Sequence, residues 1–201
     1  MRLVVPLLAV FAAVTLVSCG SETQREQQEG KTLTSLLHEL GPEVERINTT
    51  EFALVEETKM RLLNEADMSS PAATIIAEVP AYLKRLDGVM TRREEVKTRI
   101  KTLDLRMPLT VAVQTDLEED IDERIEANTG WKIQSDVLMA AAKSGNAHTI
   151  SKEIAALAEL LEAYGPQGNP LKRAADDLEE QLRLRWAEEE PPQKKKSGGK
   201  K

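Results

Sequence analysis

"IIAEVPAYLKRLDGVMTRREEVKTRIKTL", residues 75–103, decides the fold. Ile75, Val79, Tyr82, Leu86, Val89, Arg93, Val96, Ile100 and Leu103 follow a strict four-three alternation. Apolar positions that recur every three to four residues line one side of an α-helix, and that side must be buried against other helices. One member of the seam, Arg93, is charged. An unpaired charge in a core is costly, so Arg93 is read as a register-setting residue or one at the seam's edge. Ser70-Pro71 has the form of an N-cap followed by a first helical residue. Pro80 is expected to bend the helix near its start, and Met107-Pro108 to lie beyond its end.

The same periodicity extends to either side. Leu33, Leu37, Leu40, Val44, Ile47 and Leu54 share one helix face, and Leu36, Val55 and Leu62 widen it. Gly41-Pro42 interrupts this stretch without shifting its phase, which predicts a kink or a tight restart, with the helix ending near Asp67. A third region starts near Leu109 and carries Val113, Leu117, Ile121 and Ile125. Asn128-Thr129-Gly130 is a candidate end for it, followed by a piece from Trp131 to Ala142, so residues 109–144 form one helix or two. Ser144-Gly145-Asn146 is a turn. Ile150, Ile154, Leu157, Leu161 and Tyr164 mark a fourth region from about Thr149. After the loop "GPQGNP" (165–170), Asn169-Pro170 caps a last helix with Leu171, Ala175, Leu178, Leu182 and Trp186.

Three regions of roughly 35 residues, each about 50 Å long at ~1.5 Å per residue, are joined by short turns. Short connections force neighbouring helices to run antiparallel. The prediction is therefore all-α: an elongated up-down-up-down four-helix bundle over residues 32–190, its fourth helix broken once. The alternative is an irregular array of five or six shorter helices. No stretch has a strand pattern, and there is no repeat of fixed period.

The N-terminus carries a different signal. Leu3 to Val17 is almost wholly apolar, follows Arg2, and contains one proline, Pro6. It is shorter than the about 20 residues a transmembrane helix needs, and has the length and flanks of a secretory signal peptide. It ends in Leu16-Val17-Ser18-Cys19, which resembles the lipobox of bacterial lipoproteins. The resemblance implies a diacylglyceryl thioether on Cys19, cleavage between Ser18 and Cys19, and a further acyl chain on the new amine. A thiolate is nucleophilic enough for that alkylation. One acyl chain anchors only marginally, whereas two or three hold a protein on its membrane. Lipidation also accounts for the lone cysteine, which cannot form an internal disulfide in an exported chain.

Cys19 is followed by Gly20 and Ser21 rather than by the aspartate that retains enteric-type lipoproteins in the inner membrane. The resemblance thus implies an extracytoplasmic, lipid-anchored protein of the cell envelope, with the outer membrane favoured over the inner. The chain divides into a signal peptide (1–18), a lipidated cysteine with a flexible polar tether (19–31), the bundle (32–190) and a basic tail (191–201) disordered by composition.

The chain is acidic, with a net charge of −7, which argues against a nucleic-acid partner, and export argues against a nucleotide. Gly30-Lys31-Thr32 imitates the end of a P-loop, but position 25 is Arg25 and no strand precedes it. Three residues before the two histidines, His38 and His148, stand Ser35 and Gly145, so the Glu-x-x-His of a di-iron bundle is missing. Neither a haem-attachment motif nor a zinc motif is present, and there is no G-x-S-x-G nucleophile turn. Both histidines are read as solvated, His38 on the first helix and His148 in a turn. The acidic run "DLEEDIDERIEAN" (116–128) lacks the alternation of a calcium loop and reads as a solvated helix face, or as a docking face for a basic partner. Trp131 and Trp186 read as partly buried core residues at helix ends, with binding anchors as the alternative. The expectation is a protein with no catalytic residues, cofactor or metal.

Lys194, Lys195, Lys196, Lys200 and Lys201 concentrate positive charge at the end of an otherwise acidic chain. That asymmetry points to contact with an anionic partner such as lipid headgroups or wall polymers, or to a solubilising tail. The functional expectation is a membrane-anchored, non-enzymatic interaction or scaffold module that docks another envelope protein. One alternative is a carrier or sensor of a small apolar ligand. Another is a structural tether to the cell wall, because lipidated cysteine, helix and terminal lysine are similar in layout to the small helical murein lipoproteins, in which the terminal lysine is joined to peptidoglycan.

Overall fold

From Ile75 to Ile100 every member of the four-three seam is buried, Arg93 included. The computed structural model describes the backbone of residues 5–64, 70–162, 164 and 168–189, and the side chains of 22–61, 70–162, 164 and 168–185. It contains five helices: α1 (Val5–Asn64), α2 (Pro71–Lys101), α3 (Pro108–Ser144), α4 (Ala147–Glu162) and α5 (Pro170–Glu189). There is no strand among the described residues. α1 packs on α2 and α5, and α3 packs on α2 and α4. α4 and α5 follow one another down the fourth side, so the molecule is an up-down-up-down four-helix bundle whose fourth helix is broken once.

The predicted apolar faces form two core clusters. One holds Leu54, Ile75, Tyr82, Trp131, Leu138 and Leu157. The other holds Leu33, Leu37, Val96, Ile100, Leu117 and Leu178. Full burial of such side chains stabilises by roughly 1.5–3 kcal/mol each before the entropy of ordering is counted.

Local signals hold at most boundaries. Ser70 is the N-cap of α2 with Pro71 as its first residue. Asn169 caps α5, its Oδ1 accepting from Lys172 N at 3.2 Å. Gly145 ends α3 in the left-handed region at φ 69°, where a side chain would be strained. Pro42 lies inside α1 and Pro80 inside α2, and neither ends its helix.

One open alternative is decided and three expectations are corrected. Residues 109–144 belong to one helix, because Trp131 and Leu138 bury the same side of α3 as Leu117 and Ile121, and Gly130 sits in its interior. α4 starts at Ala147, which places His148 in its first turn. Arg93 is neither at an edge nor unpaired. Finally, residues 22–31 are helix and not a tether. There α1 packs closely on α5: Gly30 is buried, and a Cβ on it would collide with the Leu182 side chain. Arg185 also donates to Glu26 at 2.7 Å. The expected helix end at Asp67, the Leu62 and Trp186 side chains and the basic tail lie outside the described residues.

Glu29 shows why that segment is ordered. The N-cap of α3, Met107, makes no side-chain cap. Glu29 of α1 replaces it: its Oε2 accepts from Arg106 N at 2.8 Å, Met107 N at 2.9 Å and Thr110 Oγ1 at 3.0 Å. A carboxylate at a helix N-terminus also meets the positive end of the helix dipole. Burial raises the Glu29 pKa, but the bonds from Arg106, Met107 and Thr110 and the Arg25 charge outweigh it, leaving the carboxyl below its usual range. Glu29→Gln is therefore expected to lower stability by about 1–2 kcal/mol near neutral pH. A depressed folded pKa contributes stability that is complete above the unfolded value of about 4.3 and is lost as pH falls through the folded value. Urea midpoints of the two proteins should differ near neutrality and converge in acid. A gap independent of pH would rule out the charged cap.

Candidate functional site

A polar layer lies where the two apolar clusters meet, at the level of the break between α4 and α5. α1 contributes Asn48 and Glu51, α2 Arg93, and α3 Arg124 and Asn128. Arg93 Nη2 donates to Glu51 Oε2 at 2.7 Å and to Asn48 Oδ1 at 3.0 Å. Both charged side chains are only 6% exposed. Tyr164, just after α4, donates its hydroxyl proton to Asn128 Oδ1 at 3.3 Å. The Arg124 guanidinium lies over the Tyr164 ring, 5.8 Å from its centroid. Burial lowers the Arg124 pKa; Glu51 works against that and the like charge of Arg93 reinforces it.

α1 bonds to the residues that lead into α5. Asn169 Nδ2 donates to Gly41 O at 2.7 Å, and Asn48 Nδ2 donates to Gly168 O at 3.4 Å. A cleft of about 570 Å³ opens beside the break, lined by apolar Val44, Val96 and Ile121 together with Arg93, Arg124 and Asp120. Its size falls in the range of small-molecule sites, about 300–1,000 Å³. Four buried polar atoms of this layer have no hydrogen-bond partner: Arg93 Nη1, Arg124 Nη2, Glu51 Oε1 and Asn128 Nδ2. Buried polar groups are ordinarily satisfied, so such a cluster next to a cleft is the chemical feature that stands out in the fold. Arg93 and Arg124 line the cleft and can present guanidinium donors to a bound group.

The residues singled out from the sequence meet this site in part. Arg93 is at its centre. Asp120 and Glu123 of the acidic run line its mouth, while Asp122 of the same run pairs with Lys97 across the α2–α3 surface. Trp131 is fully buried in mid-helix beside the layer, not partly buried at a helix end, and stacks at a tilt on Tyr82 and Tyr164. His38 is half-exposed and pairs with Glu179 at 3.2 Å, and His148 is exposed. Cys19 falls on the backbone of α1, and its side chain lies outside the described residues, as do Lys194, Lys195, Lys196, Lys200 and Lys201. No group of three or more His, Cys, Asp or Glu among the described residues could hold a metal ion. No helix among them is long and apolar enough to cross a membrane.

Sequence reasoning missed Glu51, Arg124 and Asn128. Each had a signal. Glu51 occupies the four-three position between Ile47 and Leu54, and Arg124 and Asn128 occupy those between Ile121 and Trp131. A polar residue at a seam position reads as a gap in an apolar pattern and is passed over. Compared with known proteins, the chain matches no family model, no curated protein and no solved structure.

Proposed function

We propose that this chain is a non-enzymatic interaction module of the bacterial cell envelope, held on its membrane, the outer one by preference, through acylated Cys19 and docking another envelope protein. The observation that carries the docking part is the placement of exposed apolar side chains. Met60, Ile76, Ile133 and Val137 are 62%, 42%, 60% and 43% exposed. All four lie in the half of the bundle around the Leu54–Trp131–Leu138 cluster, whereas Val111 and Leu184, 37% and 51% exposed, lie toward the pole where α1 enters. With cleavage before Cys19, α1 of the mature chain begins at the acylated residue, and that half points away from the membrane. At the near pole Arg185 of α5 meets Glu26 of α1, and a lysine near an anionic surface is worth about 1 kcal/mol.

Two outcomes are expected. Palmitate fed to the cells should label the chain, and Cys19→Ala should remove the label and release the protein from the membrane fraction. Label persisting in Cys19→Ala would end the anchoring claim. A photocrosslinker at Ile133 should capture one dominant envelope protein, and Val137→Lys beside it should abolish capture at a stability change within about 0.5 kcal/mol. Undiminished capture would move the docking face elsewhere. A second reading, a carrier or sensor of a small ligand, is favoured by the cleft at the α4–α5 break.

A further inference from the structure

We propose that the cleft at the α4–α5 break binds the carboxylate of a small amphipathic acid, whose apolar body lies against Val44, Val96 and Ile121. The inference rests on the second reading above and names the ligand's chemistry. Arg93 is 5% exposed and lines the cleft, and its Nη1 has no partner. Arg124 lines the same cleft from α3, and its Nη2 is buried and also without a partner. Two guanidinium groups lining one cleft supply N–H donors of the kind that a planar carboxylate accepts.

The charge count selects a monoanion. Glu51 offsets Arg93. Arg124 makes no ion pair among the described residues, although the charges of Glu51 and Asp120 both favour its charged form. At the mouth, exposed Asp120 and Glu123 face the entrance, with Arg173 on the opposite wall from α5. A dianion such as a phosphate monoester is repelled by those two carboxylates about twice as strongly as a monoanion, and Arg173 offsets only one of them. The mixed lining gives the acid's other end apolar walls to desolvate against, which a bare inorganic anion could not use.

The test is titration of the full-length chain, purified in detergent, with hexanoate, 1-hexanol and hexyl phosphate, read from the side-chain Nε–H resonances of Arg93 and Arg124. Hexanoate should shift both resonances saturably. Hexanol should bind about tenfold more weakly or worse, and Arg124→Gln should weaken hexanoate by about the same factor, the value of one charge-assisted bond. Glu123→Gln, an exposed change, should tighten hexanoate two- to threefold and keeps the test open if Arg124→Gln folds poorly. Equal binding of hexanol and hexanoate would overturn the anion site while leaving an apolar ligand pocket. Tighter binding of hexyl phosphate would overturn the monoanion assignment. Binding by none of the three would sink both this inference and the ligand reading.

Discussion

Trp131→Ala is expected to lower folding stability by about 3–5 kcal/mol, the usual cost of emptying a buried tryptophan site. The indole is completely buried, and its ring centroid lies 4.8 Å from that of Tyr82 and 5.4 Å from that of Tyr164. Tilted aromatic pairs add about 0.5–1.5 kcal/mol beyond the area they bury. Three helical regions lose a shared contact at once, because Tyr82 belongs to α2 and Tyr164 follows α4. Trp131→Phe is expected to be much milder. Trp131 Nε1 has no hydrogen-bond partner, so phenylalanine removes an unsatisfied donor as well as some volume. Urea denaturation of the three proteins checks the pair of predictions. A loss for Trp131→Ala under about 1 kcal/mol would mean that the site collapses freely or that the aromatic cluster is not packed as described.

The second large effect belongs to the Glu51–Arg93 pair. Glu51→Leu alone is expected to cost about 3–5 kcal/mol, because it strands a buried guanidinium. Arg93→Met combined with Glu51→Leu is expected to be near neutral or even stabilising, since the desolvation of both charges is then avoided. A double-mutant cycle would show the coupling as a failure of additivity. The doubly substituted protein should also lose the hexanoate response while keeping its fold. That outcome would assign the buried pair to ligand binding. A double variant as unstable as Glu51→Leu would instead make the pair a structural requirement.

These effects arise at positions that differ in how readable they were. Arg93 announced itself as the one charge in an otherwise apolar seam. Its partner did not, although Glu51 fills the matching gap on α1, and in antiparallel helices 51 faces 93 much as 54 faces 89. Arg124, Asn128 and buried Ser135 sit on the seam of α3. The glycine of Asn128-Thr129-Gly130 offered a candidate helix end, and with three polar residues in the stripe no apolar seam ran across it to argue for one helix. Residues 22–31 were misread for a related reason: a polar composition describes what the side chains are, and gives no account of Gly30 resting on Leu182 or of Glu29 reaching the N-terminus of α3.

By itself the sequence determined the all-α class, the buried faces, the single break in the fourth helix and the turn at Gly145. All of these follow from spacings of a few residues, because helix periodicity, capping and proline geometry act over one or two turns. The tertiary structure alone decided that Arg93 is paired, that Glu29 caps a helix some 80 residues away (its partners are Arg106, Met107 and Thr110), and that Arg124 and Arg93 share a cleft. Such choices depend on which helices lie side by side and in what register. A charge's electrostatic partner is set by distance through space, and no local pattern along the chain encodes that distance.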